Sequence, residues 1–493
     1  MLTLLLLSLP IFLIFFYLQK HKTNHHHNPP GPHGLPFIGN LHQFDGRNPH
    51  TYLYNLSKKY GPLMFMKLGF RKVMVVSSSN TVQEIMKSHD LGFSGRPVLV
   101  SLQKLSYNGM DVAFSSYSDT WKEMKRVSNL HLFSVKQARS FRPVFREEVS
   151  RMIRKIAADA SLSRVTDLSE YMRSFTSNAV CRVAFGRSCG DELTGLLRET
   201  QSLLAGFFVE DYFPLLGWID KFFGMGKRLE KNFREFDSLY EELIQEHLDY
   251  SNRPKSMEGD ILDLLLGIRK DGSSSVDITF DHIKALLMNI LTAGTDTTSA
   301  LLVWAMTALI KNPLIMKKVQ TEVRQLATID NKDLLDEDDI SNLPYLRAVI
   351  KETFRLYPPA PLLSPRETIQ KCRINGYEIE PGTLVYLNAW AIGRDPQTWE
   401  NPNEFLPERF LKCDIDLKGK DPELIPFGIG RRRCPGISIG VAKIEIALAN
   451  LLRSFDWELP VGMKEEDIDF DVLPGMTMHK KNALCVVAKL HMY

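Results

Sequence analysis

The chain has 493 residues, 44% of them hydrophobic, and a formal net charge of +3. Such a length and apolar content suit an extensive core, and so small a charge argues against nucleic acid as a partner. Its six cysteines, Cys181, Cys189, Cys372, Cys413, Cys434 and Cys485, show neither C-x-x-C pairs nor a framework spacing. A disulfide scaffold is thereby excluded, and five of the six read as ordinary free thiols in a reducing compartment.

The run from Leu2 to Leu18 is almost wholly apolar and is followed by Lys20, His21 and Lys22. As a helix it would span roughly 26 Å, short but adequate for a thin endoplasmic-reticulum bilayer. No small-residue cleavage site follows, and the positive charges lie on its C-terminal side. The expectation is an uncleaved transmembrane anchor over 1–19, with a catalytic domain facing the cytosol. A secretory signal peptide is the competing reading; the missing positive n-region weighs against it. Pro29-Pro30-Gly31-Pro32 makes 20–36 a basic and proline-rich hinge. Beyond it no Pro/Gly/Ser-rich linker divides the chain, so 37–493 reads as one catalytic domain.

From Thr279 to about Asn312 the pattern predicts one long helix, capped by Thr279, with Asp281 in its first turn and an end before Pro313. In its middle, Ala293-Gly294-Thr295-Asp296-Thr297-Thr298 puts a glycine and three threonines where strong helix formers belong, which weakens the hydrogen-bond ladder. Such a weak turn can open a groove for water or dioxygen. Asp296 and Thr297 then supply an acid and an alcohol side by side, a pair suited to delivering protons. The competing reading has the hydroxyls bonded back to the preceding turn. Further on, Glu352 and Arg355 lie three apart on one helix face, and Pro407-Glu408-Arg409-Phe410 follows. Alone, that first pair reads as solvated surface.

The run Phe427-Gly428-Ile429-Gly430-Arg431-Arg432-Arg433-Cys434-Pro435-Gly436 holds one cysteine in a glycine-rich, arginine-rich loop. Ile437, Val441, Ile444, Leu448 and Leu451 then recur at helical spacing. A helix N-terminus with unpaired N–H groups favours thiolate over thiol. Gly430 and Gly436 are expected to take positive φ angles and approach closely, aiming peptide N–H groups at the sulfur while a flat cofactor lies against the loop. Phe427 would pack beside that cofactor, and Arg432 would meet an acidic substituent on its rim.

The five fixed positions of F-x-x-G-x-R-x-C-x-G resemble the haem-ligand signature of the cytochrome P450 superfamily. A chance match is on the order of 10⁻⁴ for this composition, so the pattern carries weight alone. The 293–298 stretch resembles the acid-alcohol motif of the same superfamily. Together with Pro-Glu-Arg-Phe it is most similar to the plant microsomal, A-type branch that serves specialised metabolism. The resemblance implies a mainly α fold with small β-sheets, one near 60–80 and another from parts of 370–390 and 470–490, preceded by the single anchor helix. It implies haem b (iron protoporphyrin IX) with Cys434 as the iron ligand and Gly436 beside it. Glu352, Arg355 and Arg409 would form a buried structural latch. Trp121, Lys125, Arg366 and Arg432 would meet the haem propionates. The family commonly carries arginine where this chain has Lys125, and lysine gives up the bidentate fork.

The implied activity is that of a monooxygenase. A thiolate pushes electron density onto iron and favours O–O cleavage, so that one atom of dioxygen enters a C–H bond or a π system. Electrons would come from NADPH through NADPH-cytochrome P450 reductase, drawn to a basic face of Lys122, Lys125, Arg126, Arg431 and Arg433. Family positions facing the distal haem side are Phe207, Phe208, Asn289, Ile290, Ala293, Leu362, Leu363 and Met476. Their largely apolar character implies a small lipophilic plant metabolite: a terpenoid, phenolic, alkaloid or aldoxime. Three rivals stand beside this reading. One is a haem-thiolate isomerase or dehydratase, against which Thr297 speaks. The second is an aldoxime-processing enzyme. The last is a non-catalytic haem sensor, which would not need an acid-alcohol pair, an anchor and an apolar pocket together.

Overall fold

The computed structural model describes residues 28–188, 190–249, 259–330 and 334–491. The anchor and the first part of the hinge, up to residue 27, lie outside the described residues. From Pro30 the chain is bonded to the first sheet: the Phe65 amide donates to the Pro30 carbonyl at 3.0 Å and Asn40 Nδ2 to the Pro32 carbonyl at 3.1 Å.

Helices dominate, as expected. Those that position the site are α1 (Asp119–Val127), α2 (Leu168–Phe185), α3 (Phe280–Lys311), α4 (Pro344–Leu356) and α5 (Ile437–Ser454). The central one is α3. Thr279 caps it through the His282 amide, Asp281 sits in its first turn, and it ends at Lys311, two residues before Pro313. Among the described residues it alone is long and apolar enough to cross a membrane, yet most of its surface is buried inside the protein, so it is a core helix. It packs most extensively against α2. Despite Gly294 and the threonines, α3 is helical without a break. The hydroxyls are bonded back to the preceding turn, as the competing reading has it: Thr297 Oγ1 donates to the Ala293 carbonyl at 2.7 Å and Thr298 Oγ1 to the Gly294 carbonyl at 3.2 Å.

The strands are β1 (Leu63–Leu68), β2 (Arg71–Val76), β3 (Val165–Asp167), β4 (Arg366–Glu367), β5 (Cys372–Ile374), β6 (Tyr377–Ile379), β7 (Leu384–Leu387), β8 (Phe455–Glu458), β9 (Val472–Leu473), β10 (His479–Lys480) and β11 (Cys485–Leu490). The hairpin near 60–80 forms as expected, with Leu63 opposite Val76. The grouping of 370–390 with 470–490 is corrected. β7 joins the first sheet, parallel to β2 with Val73 opposite Leu384, giving the order β1-β2-β7-β4. β5 and β6 form their own hairpin, and β11 pairs with β3 and β8. Burial explains the move. Leu384, Val385 and Leu387 are all buried, which suits a parallel strand covered on both faces.

Cys372, Cys413 and Cys485 are free thiols as expected, whereas Cys181 is disulfide-bonded. Spacing motifs report multi-bridge frameworks and are blind to a single bridge.

Candidate active site

The cysteine loop is built as its sequence dictates at one glycine and differently at the other. Gly430 has φ 69° and so needs to be glycine. Gly436 has φ −86° and is the N-cap of α5, so the expected positive φ is corrected there. A Cβ at 436 would lie 3.8 Å from Cys434 Sγ, an ordinary contact, so neither backbone angle nor packing there demands glycine. The Cys434 amide donates to the Phe427 carbonyl at 2.9 Å and closes the loop. The expected ease of thiolate formation is also corrected. Burial pushes the Cys434 thiol up, and the Gly436 amide, Lys125 and Arg433 only oppose that rise. A bound metal ion would reverse the balance, since a coordinating thiol is deprotonated outright.

Above the sulfur lies a cavity lined by Phe427, Gly436, Ala293, Gly294 and Thr297. Four arginines border it, Arg433 exposed and the other three buried. Arg366 and Arg432 were legible in the sequence, and Arg96 was not. Arg432 Nε donates to the Ser94 carbonyl at 2.6 Å and Nη2 to the Ser115 carbonyl at 2.8 Å. Arg366 Nη2 donates to the Ile429 carbonyl at 2.6 Å. Arg96 donates to the Ala113, Ser364 and Pro365 carbonyls at 2.8, 2.9 and 2.7 Å. Burial is the main cause that lowers all three, Arg366 to about 10 and Arg432 to about 9. Mutual repulsion adds to this, Arg432 and Arg366 acting on Arg96 and Arg366 on Arg432. Arg366 Nη1 and Arg432 Nη1 are buried with no partner among the described residues. Two orphaned guanidinium donors facing one cavity fit the carboxylates of a dianionic cofactor. The residues present therefore suit haem, with Cys434 for the iron and the arginines for the propionates.

The other two expected propionate partners are engaged elsewhere. Trp121 Nε1 donates to the Val112 carbonyl at 3.0 Å, and its ring lies 4.1 Å from the Arg432 guanidinium. Lys125 Nζ donates to the Arg433 carbonyl at 2.6 Å, and burial brings that amine down to about 8.

Glu352, Arg355 and Arg409 come together. Arg355 grips Glu352 bidentately, with both distances 2.7 Å, and Arg409 Nε reaches Glu352 Oε1 at 3.1 Å. Glu352 and Arg355 are fully buried. The remaining Arg355 protons go to the Gly393, Pro402 and Glu404 carbonyls, which pins the 393–404 stretch to α4.

The acid and the alcohol of α3 face different spaces. Thr297 lines the inner cavity beside Cys434; Asp296 lines a second cavity of ≈830 Å³. There His479 Nε2 donates to Asp296 Oδ1 at 2.7 Å, while Asp296 Oδ2 is buried with no partner among the described residues. His479 went unread in the sequence because it lies 183 residues from its partner. Its turn is fixed by Met478, whose amide donates to the Pro359 carbonyl at 2.8 Å and whose carbonyl accepts from Trp304 Nε1 at 2.6 Å.

The substrate positions divide. Phe207, Leu362, Leu363 and Met476 line the second cavity, and Ile290, Ala293 and Leu363 line the inner one. Leu363 takes φ 53°, a costly conformation held where the two cavities meet. Phe208 is corrected: it is fully buried in the hydrophobic core and lines neither cavity. Its neighbour Phe207 points the other way and stacks on Tyr212. Asn289 touches the inner cavity, but its amide is spoken for. Oδ1 accepts from the Val112 and Ala113 amides at 3.2 and 3.1 Å, and Nδ2 donates to Asp111 Oδ2 at 2.8 Å. It therefore fastens the 111–115 loop to α3.

A cavity with a sulfur below it and unpaired guanidinium groups at its rim is the construction of a haem-thiolate protein. A sequence model of the family Cytochrome P450 matches residues 29–487, and the chain belongs to that family. It is 46% identical to the 6,7,8-trihydroxycoumarin synthase of Pastinaca sativa, over 99% of this chain and 98% of that one. It is 48% identical to cytochrome P450 71A9 of Glycine max, over 93% and 92%. A zebra fish cytochrome P450 solved with progesterone superposes with a TM-score of 0.76 at 27% identity, covering 90% of this chain and 99% of that one. The protein is a cytochrome P450 monooxygenase of the plant A-type branch.

Replacing Glu352 by alanine leaves two arginines without their carboxylate, one of them fully buried, at a cost of about 3–5 kcal/mol. Glu352→Ala is expected to lose haem incorporation, measured as the ratio of haem to protein absorbance. A variant with full haem content would contradict the latch.

Proposed function

We propose that the protein inserts one atom of dioxygen into a lipophilic phenolic metabolite, using haem b held by Cys434 and electrons passed from NADPH by cytochrome P450 reductase. The observation that carries this reading is Thr297, whose hydroxyl lines the same cavity as Cys434. Haem bound there supplies dioxygen binding and O–O cleavage, driven by the thiolate. The chain's own residues supply the rest. Thr297 Oγ1, donating to the Ala293 carbonyl, keeps its lone pairs free to accept a hydrogen bond from a proton donor in the cavity and so to orient that donor. Asp296 brings the proton from the second cavity, and His479 holds the carboxylate ready through Oδ1. Acid and alcohol thus link two spaces through adjacent residues of one helix.

The volume of the second cavity, ≈830 Å³, lies in the range of small-molecule sites. Its apolar wall of Leu102, Leu204, Phe207, Leu362 and Met476 suits a flat ring system, and Gln201, Thr292 and Ser299 offer polar contacts for oxygen substituents. The relative named for a hydroxylated coumarin supports a phenolic substrate.

The concave face on the far side of Cys434 carries Lys122, Lys125, Lys351, Lys418, Arg431 and Arg433. Arg126 does not line this face and is paired with Glu123 at 2.8 and 2.6 Å; Lys122 and Arg431 are paired too, with Asp119 at 2.7 Å and Asp90 at 3.2 Å, so the face owes most of its positive charge to Lys351, Lys418 and Arg433. That face suits the acidic flavin domain of the reductase. Residues 1–19 are assigned as an endoplasmic-reticulum anchor, 20–36 as its hinge and 37–493 as a catalytic domain facing the cytosol. Exposed Leu215, Trp218, Phe222 and Phe223 add a surface suited to a bilayer interface.

Heavy dioxygen tests the reaction. Microsomes holding the protein, reductase and NADPH should place one heavy oxygen atom in a phenolic product; new products without the label would contradict a monooxygenase. Thr297→Ala should keep haem and substrate binding yet divert most reducing equivalents to peroxide, and unchanged coupling would show that the hydroxyl is dispensable. Raising salt should slow the first electron transfer from reductase as the basic face is screened. A flat salt profile would exclude that docking mode.

A further inference from the structure

Lys443 lies on α5 and points back into the protein. It is 2% exposed, and its Nζ donates to the Gly294 carbonyl at 2.7 Å, in the weak turn of α3. Among the described residues it makes no ion pair, and burial is the one cause acting on its amine, which it brings down to about 7. A fully buried lysine without a counter-charge is rare, because desolvating an ammonium costs several kcal/mol. Methionine would pack the same space at no such cost. The carbonyl it holds is thus the feature that distinguishes lysine here.

That carbonyl belongs to the turn carrying Thr297. Thr297 Oγ1 draws the Ala293 carbonyl, and Lys443 Nζ draws the next one, Gly294. Thr298 Oγ1 also reaches the Gly294 carbonyl at 3.2 Å. A Cβ at Gly294 would meet both Val180 Cγ2 of α2 at 3.2 Å and Lys443 Nζ at 3.9 Å, so α2 and α5 close on this turn together. The turn is therefore clamped between α2 and α5, and Lys443 lines the same cavity as Thr297 and Cys434. Both the neutral and the charged amine donate N–H, so the clamp does not depend on which form is present.

We infer that Lys443 is a positioning residue for dioxygen activation: by holding the Gly294 carbonyl it fixes the turn that presents Thr297 to the haem cavity. This rests on the proton-delivery role proposed above for Thr297. It assigns to α5 a second task besides carrying the cysteine loop.

The test uses the full-length holoprotein and two variants, Lys443→Met and Lys443→Gln. Lys443→Met should keep haem content and melt no lower than the parent, because an apolar side chain replaces a buried amine. Hydrogen-deuterium exchange over 290–300 should quicken about tenfold while 301–311 stays unchanged, a local opening rather than a global one. The share of NADPH recovered as product should fall several-fold, with peroxide rising to match. Lys443→Gln, which keeps an N–H donor, should recover part of both. Unchanged exchange over 290–300 would overturn the clamp. Quicker exchange with unchanged coupling would overturn its part in dioxygen activation. A lower melting point with loss of haem in both variants would show Lys443 to be merely structural. Full coupling in Thr297→Ala would instead bring down the proton-delivery reading, while the exchange data would still decide whether Lys443 holds the turn.

Discussion

Positive charge buried around one cavity is the constraint on which the site depends. Arg96, Arg366 and Arg432 are all nearly inaccessible and repel one another, and each satisfies part of its guanidinium with backbone carbonyls. Those carbonyls belong to separate stretches of chain: 94, 113–115, 364–365 and 429. The arginines thereby tie the segment after the first hairpin, the 111–115 loop and the cysteine loop into one rim. Two Nη1 groups have no partner among the described residues, and an anion bound between them would satisfy both donors and stabilise this region.

The latch solves the opposite problem. Glu352 is a fully buried carboxylate that receives Arg355, Arg409 and the Leu406 amide, so its acceptors are well used. It sets α4 against the 393–409 stretch that leads into the cysteine loop. Between rim and latch, α3 divides the interior. Thr292, Thr295, Asp296, Ser299 and Val303 face the larger cavity, while Ile290, Ala293, Gly294 and Thr297 face the cavity above Cys434. The two cavities thus share α3, with Asp296 facing one and Thr297 the other, and Leu363 lines both.

Local features were legible in the sequence. The cap and end of α3, the amphipathic start of α5, the E-x-x-R pair and the cysteine loop are all encoded within a few residues of one another. What stayed hidden depends on distant partners. Arg96 follows an unremarkable Ser94-Gly95, His479 sits in a short strand, and Lys443 occupies a helix whose periodicity does not announce a buried amine. Each matters through a residue more than a hundred positions away. Phe208 shows the same limit from the other side. Two adjacent phenylalanines read alike, and only the packing sends one to the cavity and the other to the core. No local pattern carries the pairing of β7, because its parallel partner β2 lies about three hundred residues earlier.

Cys434, within this basic rim, is proposed to bind haem iron as a thiolate. The carbon monoxide complex of the reduced, full-length protein distinguishes a thiolate from a neutral ligand. A strongly red-shifted Soret band is expected, and its loss in Cys434→Ser. A band at the position given by neutral ligands in the parent protein, or a red-shifted band that survives in Cys434→Ser, would contradict it.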